Sequence, residues 1–235
     1  MQKLGEALKK VVGEGEETLE VKGRPESVLM NPTRQKIFEL LCFFPASRLR
    51  PLARKLDMSP TVVQFHLRKM TVHEYLKTMK TGGGTVYYPT DLRLNNDDIA
   101  ILTILADDFG REILKRIVEK QGMTPAELAH EIGRSVGITR KMVISMENHD
   151  LLAIIMDGRH NRLFPGEGLS KLEKRIRQLL RGLKSRLIRR CSRDRLRPEV
   201  EMDSRRESTI ILHVGSKKYR LRLPSDTLMP WLMHR

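Results

Sequence analysis

The sequence predicts a mainly α, α+β protein: two tandem copies of one helix-and-hairpin unit, a long basic amphipathic helix and a small C-terminal β hairpin. Three observations carry that reading. The chain repeats itself at a spacing of 76 residues. Each copy holds three helical patterns followed by strand, turn and strand. From Leu169 onward a broad apolar stripe runs among arginines and lysines. The boundaries that follow are 1–24 for an N-terminal helix or arm, 25–94 and 95–166 for the two copies, 167–193 for the basic helix, and 194–235 for a linker, hairpin and tail.

The repeat aligns 34–89 with 110–165 without a gap. Leu52-Ala53 falls on Leu128-Ala129, Ser59 on Ser135, Leu67 on Val143, Met70 on Met146, Gly82 on Gly158 and Tyr88-Pro89 on Phe164-Pro165. Ordered self-similarity of this kind marks one supersecondary unit used twice.

Asn31-Pro32-Thr33 starts the first helix: Asn caps the free N–H groups and Pro at the first position loses no needed donor. Ile37, Leu40, Leu41 and Phe44 recur at helical spacing until Pro45. A second helix, about Arg48 to Leu56, buries Leu49, Leu52, Ala53 and Leu56. Ser59 then caps a third helix with Pro60 at its first position and Val63, Leu67 and Met70 on one face. Tyr75 to Lys80 alternates like a strand, Gly82-Gly83-Gly84 turns it, and Thr85 to Tyr88 returns. The second copy reads Asp108–Lys120, Thr124–Ile132 and Ile138–His149, with a capping box at Thr124 and Glu127 and a hairpin of Leu151–Met156 and Asn161–Phe164.

Three helices followed by a two-stranded hairpin describe a winged helix-turn-helix. The first two helices hold the third at an angle that admits it to a major groove about 12 Å wide, and the hairpin, or wing, lies along the neighbouring backbone or minor groove. Ser59 to Leu67, with His66-Leu67 and an apolar Met70 three residues on, resembles the recognition helix of ArsR-type regulators, as do Asn31-Pro32-Thr33-Arg34 and Leu52-Ala53-Arg54-Lys55-Leu56. Met146 to Leu152 is similar to MarR-type repressors. Tandem copies in one basic chain resemble archaeal transcription regulators. The resemblance covers about 56 residues of each copy and implies the fold more specifically than the function. Glu74 and Asp150 stand where a glycine is usual before the first wing strand, and the metal-sensing cysteine motif is absent from the second helix of copy one. Metal sensing is therefore not implied.

Charge points to the partner class. In 235 residues, 44 Lys and Arg against 29 Asp and Glu leave a net charge of +15. Twelve basic and two acidic residues fall between Lys171 and Arg197. Cations near phosphates gain by releasing condensed counterions, so a polyanion is expected. The longest nearly uncharged run, Ile99 to Ala106, is far short of the roughly 18 residues that span a membrane. The N-terminal residues predict no export signal. Cys42 and Cys191 form no zinc-ligand spacing and predict a reducing, cytoplasmic setting with no metal and no disulfide framework. No phosphate-binding GxxxxGK[ST] loop, no HExxH and no nucleophile beside a base is present, so neither an enzyme nor a cofactor is expected.

Candidate DNA contacts follow from donor chemistry. On the first recognition helix these are Ser59, Thr61, Val62, Gln64, Phe65, Arg68 and Lys69. Gln pairs bidentately with adenine, Arg with guanine or a phosphate, and Val62 or Phe65 reaches a thymine methyl; Phe65 alternatively packs against another domain or a partner. In the second copy Thr139, Arg140, Lys141 and Ser145 are the counterparts, on a less polar face that serves either DNA or a scaffold. The wings offer Lys77 and Lys80, then Arg159, His160 and Arg162. Lys174, Arg175 and Arg181 belong to the basic helix, whose stripe of Leu172, Ile176, Leu179, Leu180, Leu183, Leu187 and Ile188 is expected to pair with a second subunit or with Leu4, Ala7, Leu8 and Val11. Asp194 to Ser208 reads as a linker, and Thr18–Lys22 as a third strand for the terminal hairpin. The sequence thus predicts a sequence-specific, double-stranded DNA-binding transcription regulator. It is expected to act as a cytoplasmic, nucleoid-associated homodimer in contact with the transcription machinery. The rival readings are a polymerase- or replication-associated interaction module and a nucleoid-type architectural binder.

Overall fold

A computed structural model describes residues 28–204, 207–214 and 216–225, and shows a mixed α/β chain in which helix predominates. In the first unit, α1 (Pro32–Phe43) is capped by Asn31, whose side chain accepts the Arg34 N–H at 3.1 Å. It buries Ile37, Phe38, Leu41 and Cys42. A two-residue strand β1 (Ser47–Arg48) leads into α2 (Leu49–Leu56), and α3 (Pro60–Val72) follows. The Ser59 hydroxyl accepts the Val62 N–H and so caps α3. The hairpin β2 (Leu76–Thr81) and β3 (Gly84–Pro89) runs antiparallel from Leu76↔Pro89 to Thr81↔Gly84, and β1 pairs on the far side of β3.

The second unit opens with a helix that periodicity did not reveal, α4 (Asn96–Ala106), started by a capping box of Asn95 and Asp98. Apolar side chains surround nearly its whole circumference, so no amphipathic stripe marks it. Next come α5 (Asp108–Glu119), α6 (Pro125–Glu131), α7 (Val136–Glu147), β4 (Leu152–Asp157) and β5 (His160–Pro165). The 76-residue register extends to backbone detail. Left-handed Ala46, Asp57 and Glu74 (φ 59°, 51° and 60°) recur as Gly122, Gly133 and Asp150 (φ 81°, 61° and 56°). The pair Ser47↔Tyr87 recurs as Met123↔Leu163. Glu74 and Asp150 thus make the turn usually given to glycine, holding a conformation that costs a non-glycine residue about 1 kcal/mol or more.

The long helix α8 (Gly168–Arg193) buries Leu172, Ile176, Leu179, Leu180, Leu183, Leu187 and Cys191 within the single chain. This corrects the expectation that its stripe pairs with a second subunit. The N-terminal residues Leu4, Ala7, Leu8 and Val11, and the strand expected at Thr18–Lys22, lie outside the described residues.

The C-terminal piece is also corrected. Arg197–Asp203, expected within a linker, is an edge strand, β6. With β7 (Glu207–Val214) and β8 (Lys217–Pro224) it makes a three-stranded antiparallel sheet in the order β6-β7-β8. Pro198, Val200 and Met202 alternate with Glu199, Glu201 and Asp203 along β6, a strand pattern that the linker reading passed over; none of these residues is buried, and hydrogen bonding to β7 holds the strand in place. Ile210, Leu212, Leu221 and Leu223 are buried in the core, and the sheet docks on α1, where the Glu39 carboxylate accepts the Arg222 N–H at 2.7 Å.

Two predictions follow from this core. Both thiols are fully buried, and burial raises their pKa values, that of Cys191 to about 12. A thiol-specific colorimetric reagent is therefore expected to titrate neither thiol in the native chain and both in denaturant.

The Glu39 carboxyl is held above the usual carboxylate range, chiefly by burial, against the opposing Arg222 N–H and charge. Because its folded pKa exceeds the unfolded one, the native state holds the proton more tightly, and stability falls as pH rises through the folded value. Glu39→Gln keeps an acceptor and removes the charge. Its melting temperature relative to wild type is expected to rise from about pH 4 to about pH 8. A gap that does not change with pH contradicts this assignment.

Candidate nucleic-acid interface

The α3 helix is built with two sharply different faces. Val63, Leu67 and Met70 are fully buried, while Thr61, Gln64, Phe65, Arg68 and Val72 are exposed on the opposite side. Val62 is 45% and Phe65 41% exposed, so neither is sealed in the core. The Lys69 ammonium lies 5.6 Å from the Phe65 ring centroid, and His66 packs edge-on against the same ring. Thr61 and Arg68 are seven residues apart, two helical turns on one stripe, and Gln64 lies between them. The row therefore presents a hydroxyl, an amide and a guanidinium side by side.

Arg50 and Arg54, which sequence reasoning missed, line a shallow groove with Asp57, Met58, Ser59 and Pro60 at the entry to α3. They sit one turn apart on α2, and that i,i+4 basic pair just before a Ser-Pro helix start was the available signal. Two cations beside the positive end of a helix dipole suit an anion. In the hairpin, Lys77 and Lys80 are exposed but point to opposite faces of β2. Arg48 lies under its turn: a Cβ at Gly83 would come within 2.2 Å of the guanidinium.

The second unit differs. Thr139, expected as a DNA contact, is fully buried, and its hydroxyl donates to the Ser135 carbonyl at 3.0 Å. The repeat register explains the correction, because Thr139 occupies the position of core Val63. Arg140 and Lys141 are exposed and Ser145 is half-buried. At the β4–β5 turn Arg159 and His160 are exposed. Arg162 is half-buried, donating to the Gly122 carbonyl at 3.0 Å and to Asp157 at 3.3 Å. Its guanidinium is therefore tied within the unit.

The basic helix divides its cations in two. Lys171, Lys174, Arg181, Arg189 and Arg193 lie exposed along its outer side. Others fasten it to the segment joining the two units. Arg175 grips the buried Asp98 carboxylate bidentately at 2.9 and 2.8 Å. Arg190 bonds Asp91 at 2.8 Å, Arg186 donates to the Asp91 carbonyl, and the Tyr75 hydroxyl donates to Asp194 at 2.6 Å. Across the units, Lys55 pairs with Asp108, and the Lys55 ammonium and the Arg111 guanidinium lie 5.1 and 5.0 Å from the centroid of the Phe44 ring. Burial and the Asp194 hydrogen bond hold the Tyr75 hydroxyl far above its usual range, so it stays a donor.

Among the described residues, no helix is long and apolar enough to cross a membrane, and no cluster of three His, Cys, Asp or Glu side chains is placed to hold a metal ion.

No protein-family model matches the chain. It is similar to a protein of Methanocaldococcus jannaschii named an uncharacterized HTH-type transcriptional regulator, with 26% identity over 152 residues. The match covers 63% of this chain and 37% of that protein's length.

Proposed function

We propose that the chain is a non-enzymatic, sequence-specific regulator of transcription that binds double-stranded DNA through tandem winged helix-turn-helix units. In this reading α3 enters the major groove, β2–β3 is the wing, and the outer cations of α8 follow flanking phosphates. The observation that carries it is the α3 outer face, where Thr61, Gln64 and Arg68 stand free of the core that buries Val63, Leu67 and Met70. The name of the Methanocaldococcus relative supports the same class. The setting proposed is the cytoplasm, at the nucleoid, as a homodimer that contacts the transcription machinery.

The test is duplex selection from a random pool, followed by anisotropy titration of the winning duplex at several salt concentrations. With about six to ten phosphates neutralised, log affinity should fall against log salt with a slope of about −5 to −9. The selected duplex should bind at least about 1,000-fold more tightly than random DNA. Tight binding without discrimination would instead indicate an architectural binder, and a slope near zero defeats the proposal.

A further inference from the structure

We propose that Arg48 reads the minor groove of the duplex for the first hairpin, its guanidinium delivered from β1 to the tip of the wing. This rests on the DNA-binding reading above and names a contact within it; the test separates failure of the one from failure of the other.

Arg48 is a half-buried cation that the chain itself does not satisfy. Among the described residues its side chain pairs with no carboxylate, and its Nε is buried with no hydrogen-bond partner. A buried donor without an acceptor is a cost that each native structure has to justify. The strands around it are of one sign: β1, β2 and β3 hold Arg48, Lys77 and Lys80 and not one Asp or Glu. Arg48 lies opposite Val86, and Val86 opposite Met79, so the three side chains share one face of the sheet. From that face the guanidinium runs out to the turn. The three nearest atoms that a Cβ on Gly83 would meet are all its own.

Gly83 keeps that place open. Its backbone is outside the left-handed region, whereas Gly84 holds φ 114°. Space for Arg48, not backbone conformation, therefore requires the missing side chain at Gly83. The 76-residue repeat supplies an independent observation, because Arg48 corresponds to Thr124 and Gly83 to Arg159. Where the strand loses its arginine the turn gains one, and Arg159 is exposed at the tip of β4–β5. Each hairpin thus carries one guanidinium at its tip, supplied from a different position in the chain. A charge retained at the tip while its source changes serves something outside the chain.

The shape of the tip selects a groove. Gly82, Gly83 and Gly84 leave it without side chains, slender enough for a minor groove about 6 Å wide. A guanidinium is more weakly hydrated than an ammonium, and the negative potential of a narrow, A·T-rich groove attracts it. Lys80, on the other face of β2, is left for the phosphates.

Anisotropy titration of the full chain tests this, with the duplex selected above and the same duplex carrying 2,6-diaminopurine for adenine. That base adds an amino group in the minor groove and leaves the major-groove edge of the pair unchanged. Wild type is expected to bind the modified duplex about ten-fold more weakly. Arg48→Ala should lose about ten-fold on the selected duplex and bind the two alike. Gly83→Ala, which keeps the charge but displaces the guanidinium, should behave the same way. Arg48→Thr with Gly83→Arg, the arrangement of the second hairpin, should restore affinity and discrimination. Lys80→Ala should weaken both duplexes and keep the difference between them. A wild type that binds both duplexes alike overturns the proposal while DNA binding stands. So does an Arg48→Ala chain that loses equally on both, as removal of a phosphate contact would. If Arg48→Ala loses its helical circular dichroism, Gly83→Ala and the exchanged double decide. A wild type that binds no duplex defeats the DNA-binding reading itself, and this contact with it.

Discussion

Asp91→Ala is expected to lower the unfolding free energy by about 3–5 kcal/mol, measured by urea denaturation. Asp91 sits in the short turn Thr90–Leu92 that leaves β3, with its side chain 9% exposed against 12% for Arg190. Removing the carboxylate strands a guanidinium that has few other acceptors, since Asp194 is already engaged by Tyr75. The cost comes mainly from desolvated positive charge left without a partner, not from loss of one hydrogen bond. Replacing the pair together, Asp91→Leu with Arg190→Met, should therefore recover much of the loss. If Asp91→Ala costs less than about 1 kcal/mol, the ion pair is not what fastens α8 to the first unit.

Arg68→Ala is expected to weaken binding to the selected duplex by about 1–3 kcal/mol, and to relax preference at one base pair of the site. Arg68 is exposed and its neighbours Leu67 and Met70 carry the packing, so the melting temperature should hardly move. Lys80→Ala offers the contrast. A phosphate contact carries no base information, so it should weaken all duplexes alike and reduce the magnitude of the salt slope by about 0.9. Equal losses on selected and random DNA from Arg68→Ala would move that residue from base reading to the backbone.

Local chemistry was plain to read in the order of residues. Asn31, Ser59 and Thr124 each cap the helix they were expected to cap, because a side-chain acceptor beside free N–H groups acts within one turn. The 76-residue register predicted the pairing of both hairpins, whose turn glycines and alternating strands are also local. What escaped depended on surroundings. The α4 helix is apolar nearly all round and shows no stripe. The alternation of Pro198, Val200 and Met202 in β6 was legible, but with no buried face only pairing to β7 makes it a strand. Thr139 was misplaced because its chemistry was weighed ahead of its register with Val63.

Residue order therefore settled the duplicated unit, its capped helices and the cationic character of α8, since propensity, capping and charge are properties of neighbours along the chain. Which arginines of α8 remain in water and which are spent on Asp91 and Asp98 depended on contacts between residues up to 99 positions apart. Spacing along a helix assigns a face, but only the folded core determines what that face meets, because burial is a property of the whole packed molecule.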